Sequence, residues 1–174
     1  MKKIFVLFTL SLTLLSCSQT KMAYIDVEEI MKEYKGTKDK EAEMKEKSDA
    51  LRIELDSLAT NWENRARQYQ QEMNRLSAKV KAEREQVLMQ EQQAINQRQQ
   101  TIQQQVQNEG QESLVAITEE IKAFVKTYAT KNGIQLIFGT SGANGTIMYG
   151  DESMDVTDDV LVQLNKSYKS AKNE

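Results

Sequence analysis

The chain has 174 residues, no proline and no histidine, and a formal net charge of −3. This length favours a single domain with at most one extension, and an aromatic content of 6% argues against a large compact core. The acidic balance argues against a nucleic-acid partner. The sequence contains no histidine, phosphate-binding loop or nucleophile motif, so we expect no enzyme activity, cofactor or metal.

The N-terminal segment, residues 1–16, predicts a signal peptide of the lipoprotein type. Two lysines precede a run of twelve mainly apolar residues at 4–15. A membrane-spanning helix needs about 20 such residues, so the run fits a cleaved signal better. The following LLSC resembles a bacterial lipobox, and Cys17 would then carry lipid, with 17–21 as the tether. The alternative is an ordinary signal peptide followed by a chance cysteine.

The mature chain opens with a predicted strand and a short helix. Met22–Val27 (MAYIDV) alternates as a half-buried strand does. Asp26 can cap the helix that follows, with Glu29 three residues on as in a capping box.

Residues 37–131 are predicted to be helical, as one very long helix or as two antiparallel arms. Apolar residues recur at steps of three and four, which is a heptad pattern with one stutter near Trp62. A bend is expected at 76–81, where Ser77 could cap a second helix. The seam between the arms is predicted to contain Leu51, Leu55, Leu58, Trp62, Tyr69, Met73, Leu88, Ile95 and Ile102.

The stretch 90–107 contains ten glutamines in eighteen positions. It could be a disordered, aggregation-prone tract. However, apolar residues continue through it at helical spacing, and glutamine is a good helix former. We therefore interpret the tract as the polar face of a helix. Gly110 lies in the same helix, either as a hinge that lets the arms spread or as a tolerated defect.

The C-terminal part predicts two more strands and a helix. Ile134–Phe138 and Thr146–Tyr149 are expected to form a hairpin through a glycine-rich loop, and Thr157 is expected to cap the last helix. Three short strands and one helix are marginal alone, so several copies would share one body made from 22–36 and 132–174. Its predicted interface residues are Tyr24, Ile25, Val27, Leu136, Phe138, Ile147 and Tyr149.

Two blocks, KMAYIDVEEIMKEY at 21–34 and YATKNGIQLIFG…TIMYGDESMDVTDDVLVQLN across 128–165, carry a resemblance to a known family. Together with the RLS near the predicted bend, they resemble the Skp/OmpH family of periplasmic chaperones. The C-terminal block is specific, whereas any heptad sequence would match the middle.

The resemblance implies a mainly α fold with a small β body. Strands of three subunits would form a shared β-barrel, and three helical hairpins would project as tentacles around a cavity. The family holds unfolded outer-membrane β-barrel proteins there without ATP, in the periplasm of Gram-negative bacteria. The best-known members are soluble and basic, whereas this chain is acidic and predicted to be lipid-anchored, with the outer membrane favoured. Lipopolysaccharide binding is therefore not carried over.

A rival interpretation uses the same anchor and heptads. In it the chain is a lipid-anchored coiled-coil structural or adaptor protein of the cell envelope. The specific C-terminal block favours the chaperone, because a mere spacer would not need it.

Overall fold

The structure, a computed structural model, describes residues 20–141 and 147–172. The predicted signal peptide and Cys17 lie outside these ranges. The chain divides into two compact units. We call Tyr34–Glu120 the arm unit, and the described residues of Met1–Glu33 and Ile121–Glu174 the body unit. The fold is mainly helical with one small sheet, as the sequence predicted.

The sheet of the body unit consists of two parallel strands, β1 (Met22–Asp26) and β2 (Leu136–Thr140). Met22 lies opposite Leu136, and Asp26 lies opposite Thr140. Parallel strands cannot be joined by a tight turn and need a long crossover connection. The long helical segment between the two strands supplies that connection.

This pairing corrects the predicted hairpin. Ile147–Tyr149 are not in a strand, and Thr146 lies outside the described residues. β2 starts two residues later than predicted because Gly133 and Ile134 close the preceding helix. Gly133 adopts a φ of 65°, and the Ile134 amide donates to the Ala129 carbonyl at 2.9 Å, which together form a Schellman motif.

Two short helices pack on the sheet: α1 (Val27–Glu33) and α4 (Thr157–Lys172). Asp26 caps α1, because its Oδ1 accepts a hydrogen bond from the Glu29 amide at 3.0 Å. The prediction that Thr157 caps α4 was wrong. Asp155 Oδ1 accepts from the Thr157 amide at 2.9 Å, while Thr157 Oγ1 accepts from the Asp26 amide at 2.8 Å and so ties α4 to β1.

The core of the body unit is small and fully apolar at its centre. Ile30 and Val160 have no exposed surface. Burying a side chain of this size contributes about 1.5–3 kcal/mol. The buried apolar residues of this unit are Ala23, Ile25, Ile30, Ile121, Tyr128, Ile134, Val160 and Leu164.

The arm unit contains α2 (Lys35–Glu72), a 3₁₀ turn (Met73–Arg75) and most of α3 (Ala78–Asn132). Two helices form rather than one continuous rod. The break begins at Met73, earlier than the predicted 76–81, and Leu76 adopts extended backbone angles there. Ser77 Oγ accepts from the Val80 amide at 3.4 Å, which is a long capping contact.

Candidate functional site

The two helices of the arm unit are joined by polar side chains that cross between them. Lys47 Nζ lies 3.1 Å from Glu109 Oε2, and Arg84 Nη1 lies 2.6 Å from Glu72 Oε2. Arg65 Nε lies 3.0 Å from Glu91 Oε2 on α3. As α2 advances along the chain, its partners on α3 move backward. The helices are therefore antiparallel within this unit.

Arg98 on α3 forms a bidentate contact with Glu54 on α2. It is the only basic residue between Glu85 and Ile121. Its Nε and Nη2 donate to the two carboxylate oxygens of Glu54 at 2.7 and 2.8 Å. These hydrogen bonds lower the pKa of Glu54 and raise the pKa of Arg98. A bidentate pair fixes geometry more strictly than a single contact, so this one sets the register of α2 on α3.

Of the nine predicted seam residues, only Ile102 is buried. Ile102 is 7% exposed, whereas Leu58 is 37% exposed. The Trp62 indole Nε1 donates to the Leu88 carbonyl on α3 at 2.8 Å, so this tryptophan spans the two helices. The half-buried seam positions are Leu51, Leu55, Trp62, Tyr69, Met73, Leu88 and Ile95. The apolar stripe is thus narrow and encloses little volume.

The glutamine-rich tract lies within α3, as predicted for a helix. Its glutamine side chains are exposed except for Gln105, which is half-buried. Gln105 Nε2 donates to Glu109 at 2.8 Å along the same helix face and contributes to lowering the pKa of Glu109. The tract therefore presents a long surface of neutral hydrogen-bonding groups.

Gly110 lies within α3 and does not interrupt it. A Cβ placed on Gly110 would meet no other atom within 4 Å. Neither packing nor backbone conformation therefore requires glycine at this position. The hinge proposed for Gly110 stays a prediction, because a single conformation does not test it.

One anchor of the arm unit was missed by sequence reasoning. Tyr34 has no exposed surface, and its hydroxyl donates to Glu120 on α3. Its ring also covers Gly36, where a Cβ would lie 2.4 Å from the tyrosine Cε1. The only signal in the sequence is that Tyr34 lies two positions before Gly36. The heptad pattern does not include this tyrosine.

In the body unit, one face of the sheet is apolar and exposed. Met22 and Leu136 lie opposite each other and are 44% and 45% exposed, and Phe138, opposite Tyr24, is 40% exposed. Tyr24 is half-buried and covers Gly150. Side chains of paired residues point to the same side of a sheet, so these four form one surface.

The remaining predicted interface residues are divided between core and surface. Ile25 is buried and faces the core, and Ile147 is half-buried. Val27 and Tyr149 are 36% and 85% exposed. Among the described residues, the outer edge of β2 has no strand partner, whereas the Tyr24 carbonyl of β1 accepts from the Val156 amide at 3.0 Å.

Two acidic residues near α4, Asp151 and Asp159, accept hydrogen bonds from neighbouring side chains. Asp151 accepts hydrogen bonds from the amide and hydroxyl of Ser153 at 2.9 and 2.6 Å. Asp159 accepts from the Tyr128 hydroxyl at 2.7 Å, which lowers the pKa of Asp159. Burial, together with this bond, raises the pKa of Tyr128 to about 12. Within residues 20–141 and 147–172, no acidic cluster has the arrangement of a metal site.

Residues 21–164 match the sequence model of a family described as outer membrane protein (OmpH-like). The match includes both strands and nearly all of the helical region. The chain belongs to the OmpH-like family. A search of curated proteins finds no significant match. In the part of the OmpH-like chain that the structure describes, no helix has the length and hydrophobicity needed to cross a membrane.

A solved structure supports the same fold for this OmpH-like chain. It is a protein from Caulobacter crescentus assigned as an OmpH-like outer membrane chaperone. The TM-score is 0.76 at 16% sequence identity, and the alignment covers 86% of each chain. The mainly helical fold with a small sheet is therefore shared by two sequences that have diverged widely.

Proposed function

We propose that this protein is an ATP-independent holdase. It would bind unfolded outer-membrane β-barrel proteins in the periplasm of a Gram-negative bacterium and prevent their aggregation. Membership of the OmpH-like family over residues 21–164 is the observation that carries the proposal. The assignment of the Caulobacter protein as an outer membrane chaperone supports it. Such a role requires preferential binding of unfolded chains and no chemical step.

The exposed face of the sheet supports self-association through the body unit. A two-stranded sheet is marginally stable alone, and Met22, Leu136 and Phe138 leave its outer face accessible to solvent. The outer edge of β2 can pair with a strand of another copy. We propose a homotrimer, the copy number that the family resemblance implies, with this face and edge at its centre.

The arm unit would provide the surface for the client. Its exposed glutamines can exchange hydrogen bonds with an extended polypeptide without adding charge. Three arms acting together would hold a client through many weak contacts, because linked sites raise the effective concentration. Replacing exposed glutamines by glutamate tests this role, and an unchanged affinity for the client would contradict it.

The proposed location follows from the N-terminal motif. Lipid on Cys17 would tether the protein to a membrane, with the outer membrane favoured. A lipidated cysteine carrying more than one acyl chain gives stable anchoring, since each buried CH₂ adds about 0.8 kcal/mol.

The holdase proposal is tested with a urea-unfolded outer-membrane β-barrel protein diluted into buffer. Residues 18–174, made without lipid, are added at increasing concentration while light scattering is followed. We expect suppression that saturates near three chains per client. Scattering that stays unchanged in the presence of a folded helical protein would contradict the holdase.

One observation favours a second function, a lipid-anchored structural or adaptor protein of the envelope. Ion pairs join the two helices of the arm unit, from the pair of Lys47 with Glu109 to the pair of Arg84 with Glu72. A spacer would require such a closed pair of helices. A stable complex with one folded envelope partner, combined with no effect on unfolded barrels, would select this alternative.

A further inference from the structure

A row of glutamines runs along α3 with the spacing of a coiled-coil seam. Between Gln86 and Gln111, eight glutamines follow each other at alternating steps of four and three residues. Steps of this kind, sustained over three heptads or more, mark the side of a helix that meets a second helix. We call these residues the glutamine row: Gln86, Gln90, Gln93, Gln97, Gln100, Gln104, Gln107 and Gln111.

The concentration of glutamine on this line exceeds that of the helix around it. All eight side chains of the glutamine row are exposed. The same stretch has ten other exposed positions, and only three of them, Gln92, Gln99 and Gln103, are glutamine. A general preference for glutamine in this helix would fill both sets alike. The spacing also continues to Leu114, a large apolar residue that is 55% exposed.

The glutamine row lies on the side of α3 that is turned away from α2. Leu88, Ile95 and Ile102 belong to the side that meets α2, where the Trp62 indole donates to the Leu88 carbonyl at 2.8 Å. Each of these three apolar residues follows a member of the row by two positions. Two positions correspond to about 200° around a helix of 3.6 residues per turn. The row is therefore accessible to a further partner while α2 and α3 stay paired.

The spacing of the row favours a helix as that partner. Successive positions lie about 5 Å apart along the helix axis, because the mean step is 3.5 residues. Side chains on one face of an extended strand recur about every 6.7 Å. A strand therefore loses register with the row within a few positions, whereas a second helix with the same heptad spacing keeps it over the whole length.

The chemistry of the row favours a second copy of the same row. A glutamine amide both donates and accepts hydrogen bonds, so one glutamine complements another. Two identical charged rows would repel each other, and this row contains no charge. In a closed cyclic assembly all copies run in the same direction along the symmetry axis. Each glutamine of a parallel pair would then meet the same glutamine of the other copy.

We propose that, in the absence of a client, the glutamine row of one copy packs in parallel against the glutamine row of a second copy. The proposal rests on the proposed self-association through the body unit and adds a contact between arm units. A polar seam is weaker than an apolar one, so it requires the high effective concentration that a shared assembly provides. Separation of the rows would release the amides to a client.

The test is cysteine cross-linking of the purified full exported chain without client. Cys17 is the only cysteine of the chain, so the wild type is the blank. Gln100→Cys and Gln93→Cys place a thiol in the glutamine row. Gln99→Cys and Gln92→Cys are the matched controls, because each replaces an exposed glutamine one position away and outside the row. Copper-catalysed air oxidation forms a disulfide only where two Cα atoms approach within about 7 Å.

We expect disulfide-linked dimers of Gln100→Cys and Gln93→Cys in at least about fivefold higher yield than those of the two controls, since positions outside a parallel seam lie beyond this reach. Equal yields inside and outside the row would overturn the proposal. The absence of a dimer at all four positions would overturn it as well.

A second set of variants tests the neutrality of the row. Gln97→Glu combined with Gln104→Glu should lower the yield of the Gln100→Cys dimer at least about fivefold, because like charges would face each other. Gln92→Glu combined with Gln103→Glu adds the same charge outside the row and should change the yield less than about twofold, since exposed charges more than about 10 Å apart are largely screened. Glutamate and glutamine have similar helix propensities, so all variants should keep the wild-type circular dichroism. Equal losses would indicate general repulsion and refute the contact.

Amine cross-linking of the wild type separates this proposal from the proposed self-association. The glutamine row contains no lysine, whereas the body unit has exposed lysines such as Lys21 and Lys131. Amine-linked trimers without a Gln100→Cys dimer would overturn the row contact and leave the body assembly standing. A Gln100→Cys dimer without amine-linked trimers would support the row contact and contradict the trimer. Light scattering with the unfolded client tests the holdase independently of both.

Discussion

The body unit and the arm unit are stabilised by different interactions. In the body, Ile30 and Val160 are completely buried, and polar groups such as Thr157 and Asp159 are hydrogen-bonded between elements. In the arm, the facing side chains are mostly half-buried, and ion pairs join the helices at intervals. The body thus has a small conventional core, whereas the arm has a narrow apolar stripe with polar crosslinks.

This difference shows what each type of contact contributes. Exposed ion pairs add little to stability, but a directional pair such as Arg98–Glu54 selects one register out of several that a heptad stripe allows. Apolar burial supplies free energy with less directional control. The body unit therefore provides stability, and the arm unit provides length, register and accessible surface.

The largest expected effect comes from opening the core of the body unit. Ile30→Ala should lower the free energy of unfolding by about 2–5 kcal/mol, because a fully buried isoleucine leaves a cavity. The measurement is hydrogen exchange of the β1 amides of Ala23 and Ile25 with and without urea. Ile53→Ala in the arm is the control, since Ile53 is 66% exposed and should change stability by less than about 0.5 kcal/mol. Similar losses of unfolding free energy in Ile30→Ala and Ile53→Ala would contradict the described difference between the two units.

The next effect comes from a polar contact of the body unit. Tyr128→Phe removes the hydrogen bond to Asp159 and should cost about 1.5–3 kcal/mol, the range for bonds to charged groups. The pKa of Tyr128 is raised from 10.0 to about 12. Above pH 10 the unfolded chain therefore loses this proton before the folded chain does, and stability falls as pH rises through this window.

Asp159 makes the stability depend on pH in the opposite direction, at the acidic end of the range. Its pKa is lowered by Tyr128, so its contribution is complete at neutral pH and is lost as pH falls through the lowered value. Urea midpoints measured across pH for the wild type and Tyr128→Phe check both signs. A variant with the same alkaline loss of stability as the wild type would show that Tyr128 does not cause it.

A smaller effect is expected from the glycine of α3. Gly110→Ala should stabilise the arm unit by about 1 kcal/mol, since alanine is the better helix former and its Cβ meets no atom. Gly36→Ala is the matched control and should destabilise, because its Cβ would clash with Tyr34. Urea unfolding followed by Trp62 emission measures both. If Gly110→Ala is more stable than the wild type but suppresses client aggregation less well, the hinge interpretation is supported. Unchanged suppression of aggregation would contradict the hinge.

The smallest effect is expected at the polar contacts of the arm unit. Glu54→Gln should lower the urea midpoint of Trp62 emission slightly at low salt, because it removes the charge paired with Arg98. The difference should shrink near 1 M NaCl, where the screening length is about 3 Å. Glu41→Gln, an exposed glutamate on the same helix, provides the comparison. A loss at Glu54 that persists at high salt would point to geometry rather than charge as its cause.

Local patterns in the sequence predicted local structure well. The cap at Asp26 and the helical nature of the glutamine tract were confirmed. Each depends on residues within a few positions of one another, where side-chain spacing and backbone hydrogen bonding decide the conformation. The same reasoning failed for Thr157, whose hydroxyl accepts from the distant Asp26 amide, and for the hairpin, because β2 pairs with the distant β1.

By itself, the sequence determined the long helices, their polar faces and a small strand-containing part, since periodicity and capping are properties of neighbouring residues. Only the tertiary structure decided that β1 pairs with β2 in parallel across more than a hundred residues, that Arg98 meets Glu54, and that Tyr128 meets Asp159. Many distant partners are compatible with one local pattern. The choice among them depends on which arrangement buries Ile25, Ile30 and Val160 together while satisfying the polar groups around them.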